Sequence, residues 1–217
     1  MHVLSLVPLL LVTQLQPGVE APAAPAEVCI ACQADVVQLR SGYAPDAWEK
    51  MASGKVITST AESKDADGNP KSRVEAAAIM GFSPTQVWTV LADFEARPKF
   101  ISAAKEIRIL KTEGNRIWIA EHLKVLLFNI RFQAVNTLDA ERGILSWALD
   151  KSAPHDIADT TGAWEVGALA ARQTLVKYGA SVDTGRPVPG FVENFLTERS
   201  LPGVLSGLRD ELQRRFP

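Results

Sequence analysis

Apolar and polar positions follow one another in a definite order along the chain. From Lys55 to Met80 the pattern is that of a hairpin. Val56, Thr58 and Thr60 alternate with Ile57 and Ser59, and the Asp65-Ala-Asp-Gly-Asn-Pro70 stretch has turn chemistry. The return puts Val74, Ala76, Ala78 and Met80 on one face and Glu75 on the other. At Ser83 the period changes. Ser83 fits an N-cap, Pro84 the first helical position and Gln86 the capping-box partner, and Val87, Val90, Leu91 and Phe94 recur at helical spacing. Pro98 ends this helix, and Phe100-Ile101 follow as a short apolar segment.

A run of strands comes next. Ile107 and Ile109 alternate, Glu113-Gly114-Asn115 turns the chain, and Ile117 to Leu123 returns. Leu126, Phe128, Ile130, Phe132 and Ala134 alternate with Asn129, Arg131 and Gln133, the signature of a half-buried antiparallel strand. Ile144 to Leu149 forms a further strand, and Trp164–Val166 pairs with Thr174–Tyr178. The C-terminus predicts a long amphipathic helix, with Ser200 as its cap. Its stripe is Leu201, Val204, Leu205, Leu208, Leu212 and Phe216, with Arg209, Asp210, Glu211, Arg214 and Arg215 opposite. Strands flanked by helices in this order give an α+β fold, a curved antiparallel sheet gripping a long C-terminal helix. The gap between the two is a natural apolar ligand cavity.

Ahead of the hairpin the pattern is different. Val3 to Val12 reads VLSLVPLLLV, the length of a signal-peptide hydrophobic region and too short to span a bilayer. A Pro/Ala stretch follows, with Ala21-Pro-Ala23 and Ala24-Pro-Ala26 fitting a small-x-small cleavage pattern. The n-region, Met1-His2, lacks Lys and Arg. Residues 1–26 are therefore expected to be a signal peptide, which implies a periplasmic or secreted protein. Residues 27–53 form a helical extension broken by Gly42 and Pro45, and residues 54–217 the ligand-binding domain. Cys29 and Cys32 make a Cys-x-x-Cys in the extension. A local disulfide, a redox motif and a zinc half-site compete for it. A local disulfide suits an oxidising compartment, and the expected strand before a redox motif is missing.

Composition narrows the function classes. Of 217 residues, 47% are apolar and 22% charged, and 23 basic against 25 acidic residues give a net charge of −2. A near-neutral chain without a basic run has no electrostatic footprint for nucleic acid. Two cysteines and three histidines offer little for metal or cofactor binding, so neither is expected. His155 and Asp159 in a polar loop are a poor ligand pair, and a solvated loop is the simpler reading. Of the strand carboxylates, Glu75 is placed toward solvent. Glu121 shares a face with Ile117, Ile119 and Leu123, which makes it the candidate polar group of the cavity. The plain alternative for Glu121 is a cross-strand ion pair with Lys124 or Arg131.

The stretches Val74-Glu-Ala, Ser83-Pro-Thr-Gln-Val-Trp-Thr-Val-Leu-Ala-Asp-Phe94 and Pro98-Lys-Phe100 resemble the opening of START-like proteins. These form the polyketide cyclase/dehydrase and lipid transport (SRPBCC) superfamily. Gly162-Ala-Trp164-Glu-Val, Thr174-Leu-Val-Lys-Tyr178 and the closing Leu-Pro-Gly-Val-Leu-Ser-Gly-Leu-Arg helix agree, so the resemblance covers roughly residues 55–217. It implies a helix-grip fold whose C-terminal helix closes a cavity. Together with the leader-like residues 1–26 it implies an exported binding or transport protein for a hydrophobic small molecule such as a lipid or isoprenoid. The alternative is a cyclase-like pocket enzyme, for which no catalytic residue stands out. The expected cavity wall is Phe100, Phe128, Phe132, Trp147, Trp164, Phe195, Leu201, Leu205 and Leu208. Pro187 to Leu196 has the composition of a mobile gate, and its apolar side chains suit transient membrane contact. Oligomeric state is not legible in the pattern.

Overall fold

A computed structural model describes residues 40, 42–64, 70–185 and 201–217. The leader, Cys29 and Cys32, the first part of the 33–53 helix, the Pro187–Leu196 segment with Phe195, and the Ser200 cap lie outside the described residues. Helix α1 (Pro45–Ala52) precedes β1 (Ile57–Lys64), β2 (Pro70–Met80) and α2 (Pro84–Ala92). A 3₁₀ turn (Phe94–Lys99) leads into β3 (Ala104–Glu113), β4 (Arg116–Val125), β5 (Phe128–Asp139), β6 (Ile144–Leu149), β7 (Asp159–Ala170) and β8 (Gln173–Asp183). Helix α3 (Leu201–Arg215) ends the chain. The strands form one curved, wholly antiparallel eight-stranded sheet of order β1-β2-β8-β7-β6-β5-β4-β3. The α+β helix-grip expectation holds.

The local reasons are visible. Ser83 Oγ accepts from the Gln86 N–H at 3.2 Å, and Gln86 Oε1 accepts from the Ser83 N–H at 2.9 Å, closing the capping box. Pro45 opens α1 rather than breaking a helix, because a first-turn proline lacks only a donor that would be unpaired there anyway. In β3, Ile107 and Ile109 lie in continuous register opposite Glu121 and Ile119 and so share a face, but Ile107 is buried while Ile109, farther along this edge strand, is 43% exposed. Strands β7 and β8 are longer than the apolar pattern indicates. They include small residues at close contacts, Gly162 against the Trp147 ring and Gly179 against the Arg73 guanidinium.

The concave face of the sheet carries the main core. Ala78, Met80, Ile119, Ala134, Leu145, Trp164 and Val176 meet Val87, Trp88 and Leu91 of α2 and Leu205, Leu208 and Leu212 of α3. Each fully buried leucine of α3 contributes up to about 2–3 kcal/mol of apolar burial. On the convex side a smaller cluster, Met51, Ala77, Ile79 and Leu175 with Tyr43 and Trp48, fixes α1.

Two further contacts set the position of α3. Its last turn is held by charge. Glu211 accepts from Arg214 and Arg215 at 2.7 Å, and Arg215 also reaches Asp93 at 2.8 Å, just after α2. Arg214 first, then Arg215, hold the Glu211 carboxyl down at about 2. Midway along α3, Gly207 lies against the backbone at Phe100, where an added Cβ would collide with the Phe100 carbonyl oxygen.

That approach reverses the usual sign of a helix substitution. Alanine normally favours a helix over glycine by about 1 kcal/mol. Gly203, also in α3, has open space around it, so Gly203→Ala is expected to stabilise by about 0.5–1 kcal/mol. Gly207→Ala must displace a main-chain carbonyl and is expected to lower stability by about 1–2 kcal/mol. Thermal denaturation of the two variants checks this, and equal gains from both would contradict the docked position of α3.

Candidate functional site

Between the sheet and α3 the structure gathers polar groups into an otherwise apolar interior. Arg97 comes from the 3₁₀ turn and is only 4% exposed. Its Nη2 donates to the Leu91 carbonyl at 3.0 Å, and the guanidinium lies 4.0 Å over the Phe94 ring. The Leu91 carbonyl is free for this because α2 stops at Ala92, leaving its last carbonyls without helical partners. Arg97 Nε is buried with no partner.

Glu121 faces the same interior from β4, opposite Phe132 of β5. Desolvation raises its pKa, and the Arg97 charge partly offsets this. Tyr178 of β8 is pushed up to about 12, again chiefly by desolvation, with Glu121 adding and Arg97 opposing. Desolvation lowers Arg97 to about 10, against the pull of Glu121, Tyr178 and Asp93. The guanidinium therefore stays charged near neutral pH. Glu121 and Tyr178 are part-buried rather than fully enclosed.

Three rings stand against these groups. Trp164 and Tyr178 are paired across β7 and β8, with ring centroids 4.5 Å apart. Trp147 stacks on Tyr178 at 5.7 Å. It reaches there by lying over Gly162, its partner across β6 and β7, where any Cβ would fall inside the indole. On its other side Trp147 pairs with Asn136 of β5. Asn136 is fully buried, and neither Nδ2 nor Oδ1 has a partner. Buried amide groups without partners are rare in native proteins.

The sequence-predicted wall residues separate into groups. Phe132, Trp164, Leu205 and Leu208 are buried between sheet and helix, and Trp147 is half-buried there. Phe100 is buried under α3 at the Gly207 contact. Phe128 shares the inner face of β5 but stands at its exposed end, 49% accessible. Phe195 and the side chain of Leu201 lie outside the described residues. Glu121 lies where alternation placed it, but the charge acting on it is that of Arg97, with neither Lys124 nor Arg131 in an ion pair to it among the described residues. Glu75 is exposed and paired with Arg73 at 2.9 Å. His122 contacts Asn129 at 3.1 Å on the outer face, and His155 is exposed. Among the described residues no cluster of three potential metal ligands occurs.

Arg97, Asn136 and Tyr178 were not singled out from sequence. Arg97 follows a helix end and precedes a proline, where no periodicity assigns a face. Asn136 was legible in principle, since it continues the inner-face alternation of Phe132 and Ala134. A groove of about 210 Å³ over β3–β5 is bordered by Glu106, Arg108, His122 and Arg131, and Glu121 and Phe132 also contribute to its lining. Its border is mixed in charge.

A curved antiparallel sheet closed by a C-terminal helix over a part-polar interior is the START-like helix-grip arrangement. The sequence profile of the polyketide cyclase / dehydrase and lipid transport family matches residues 80–209, and the chain belongs to that family. Among solved structures it is similar to the Zhui aromatase/cyclase from Streptomyces sp. R1128, with TM-score 0.58 and 19% identity, covering 67% of this chain and 95% of that one. It is also similar to a START superfamily protein from Mycobacterium smegmatis (TM-score 0.57, 18% identity, 66% and 98% covered). A STAR-related lipid transfer protein from Xanthomonas axonopodis gives TM-score 0.55 and 18% identity, with 71% and 98% covered. At these identities the likeness is one of fold. No curated protein matches the sequence.

The electrostatics give a testable sign. The pKa of Glu121 is raised on folding, so its contribution is fully present below the ordinary value of 4.5 and is lost as pH rises through the folded value. Glu121→Gln removes that loss. The variant is expected to melt above the wild type at pH 8, with the gap closing below about pH 4.5. A variant less stable than wild type at pH 8 would show that the Glu121 charge is net stabilising beside Arg97.

Proposed function

We propose that this protein encloses a hydrophobic small molecule with one polar end, lipid- or isoprenoid-like in character, between the sheet and α3, and serves as its exported carrier. The observation that carries the reading is the unpartnered amide of Asn136, buried beside an aromatic wall. A ligand offering both a donor and an acceptor would complete that amide, while its apolar body lies against Trp147, Trp164 and Phe132. Burial of that body supplies affinity at roughly 25 cal/mol per Å², and Arg97 Nε offers one further donor. Export rests on the leader-like residues 1–26, and transfer to and from a membrane on the ligand's low solubility in water.

Asn136→Leu separates ligand recognition from packing. Replacing an unsatisfied buried amide by an apolar group of similar size is nearly neutral or stabilising for the empty protein. The same change is expected to weaken the ligand extracted with wild-type protein by about tenfold, the loss of one or two good hydrogen bonds. Competition of a fluorescent fatty acid against that extract measures it. Unchanged affinity, with a rise in melting temperature, would remove Asn136 from the site.

A cyclase-like enzyme is the second reading. It is favoured by a carboxyl with raised pKa near a guanidinium and a phenol, the composition of a general acid–base site. Glu121→Gln distinguishes the two. A carrier retains uptake and transfer of its ligand within about threefold, whereas an enzyme loses a factor of about 10²–10⁴ in turnover of the extracted ligand.

A further inference from the structure

The hairpin joining β4 to β5 ends in an unusual tip. Val125 and Phe128 pair across it, leaving Leu126 and Leu127 as a two-residue turn. Leu126 has φ of 54°, a backbone conformation that Gly or Asn adopts freely and a branched apolar side chain resists. Leu127 is 90% exposed, Phe128 49% and Leu126 36%. Neither the strain nor the exposure helps the hairpin fold, since polar turn residues would remove both.

The surroundings are basic. The Lys124 N–H donates to the Ala103 carbonyl at 2.7 Å, which draws the segment before β3 alongside the hairpin. Lys105, at the start of β3, is exposed, and its Nζ donates to the Ser102 carbonyl at 3.0 Å. Lys124 is exposed as well. Neither lysine has an ion pair among the described residues, and the neighbouring acid, Glu106, is paired with Arg108 at 3.3 Å.

We propose that this tip is a docking element for an anionic lipid bilayer. Leu126, Leu127 and Phe128 enter the boundary between headgroups and acyl chains, and Lys105 and Lys124 lie at the depth of the phosphates. Two features favour a bilayer over a protein partner. A tip of three residues falls far short of the roughly 800 Å² per side of a stable protein interface. Flanking lysines are depleted at protein interfaces but match a surface of negative potential. The inner face of β5 runs from Phe128 through Ile130 to Phe132, so docking sets the apolar wall of the interior against the lipid. The proposal goes beyond the ligand-holding reading and does not depend on it.

Co-sedimentation of the full chain with vesicles tests it, using phosphatidylcholine alone and phosphatidylcholine mixed equally with phosphatidylglycerol. The leader is common to all variants, so differences between them report on the tip. Wild type is expected to favour the anionic vesicles, less so as salt rises. Leu127→Asp is expected to lower partitioning at least tenfold, with an unchanged melting curve because the side chain is exposed. Replacing both lysines by glutamine is expected to reduce it by about fivefold per lysine and to abolish the preference for phosphatidylglycerol. Wild-type partitioning by Leu127→Asp would overturn the proposal. So would a tip variant that loses a protein partner while binding vesicles normally. Uptake of a fluorescent fatty acid by Leu127→Asp, measured separately, reports on the interior site.

Discussion

A buried guanidinium, that of Arg97, is the constraint around which the interior of this protein is arranged. Taking such a charge out of water costs several kcal/mol unless neighbouring groups compensate it. Arg97 is compensated by a carbonyl, an aromatic face and two carboxylates at longer range. Each depends on another element being where it is. The carbonyl is available because α2 stops before Asp93. Asp93 is itself held by Arg215 of α3, and that arginine also binds Glu211. The closing helix and the buried charge are thus linked through one short acidic corner. Displacing α3 would break those ion pairs and open the leucine-lined interface at the same time.

The interior beneath α3 combines aromatic rings with buried polar groups. Trp147, Trp164 and Tyr178 give it a rigid aromatic wall, made possible by the missing side chain at Gly162. Arg97, Glu121 and Asn136 give it polarity that the protein does not fully satisfy. Hydrocarbon walls alone would hold apolar molecules with little discrimination. A few fixed polar groups can set the orientation of a ligand and reject one lacking the complementary end. The family name covers both cyclases and lipid transport proteins.

Much of the fold is legible in the sequence because its signals are local. The Ser83–Gln86 capping box, the inner-face alternation of β5 and the leucine stripe of α3 each depend on neighbours a few residues away. Strands β7 and β8 were under-read for a physical reason. Thr160, Gly162, Gly179 and Ala180 show no strand periodicity of their own, and at the two glycines the Trp147 ring and the Arg73 side chain occupy the space a Cβ would need. The site was legible only where it rode on alternation. Glu121 and Phe132 fall on the correct face, whereas Arg97 is placed by a helix end and a 3₁₀ turn that no period describes. Phe128 shows the limit of the same rule: alternation gives its face, but not how far along the strand cover by other elements reaches.

The central claim is that the interior holds a hydrophobic molecule by a polar end. Native mass spectrometry of the intact wild-type protein, isolated from its source without a delipidation step, addresses this most directly. The account predicts a discrete added mass, released on unfolding, that belongs to a mostly hydrocarbon compound with at least one hydrogen-bonding group. Protein that carries no added mass, and that takes up no lipid when offered one, would contradict it.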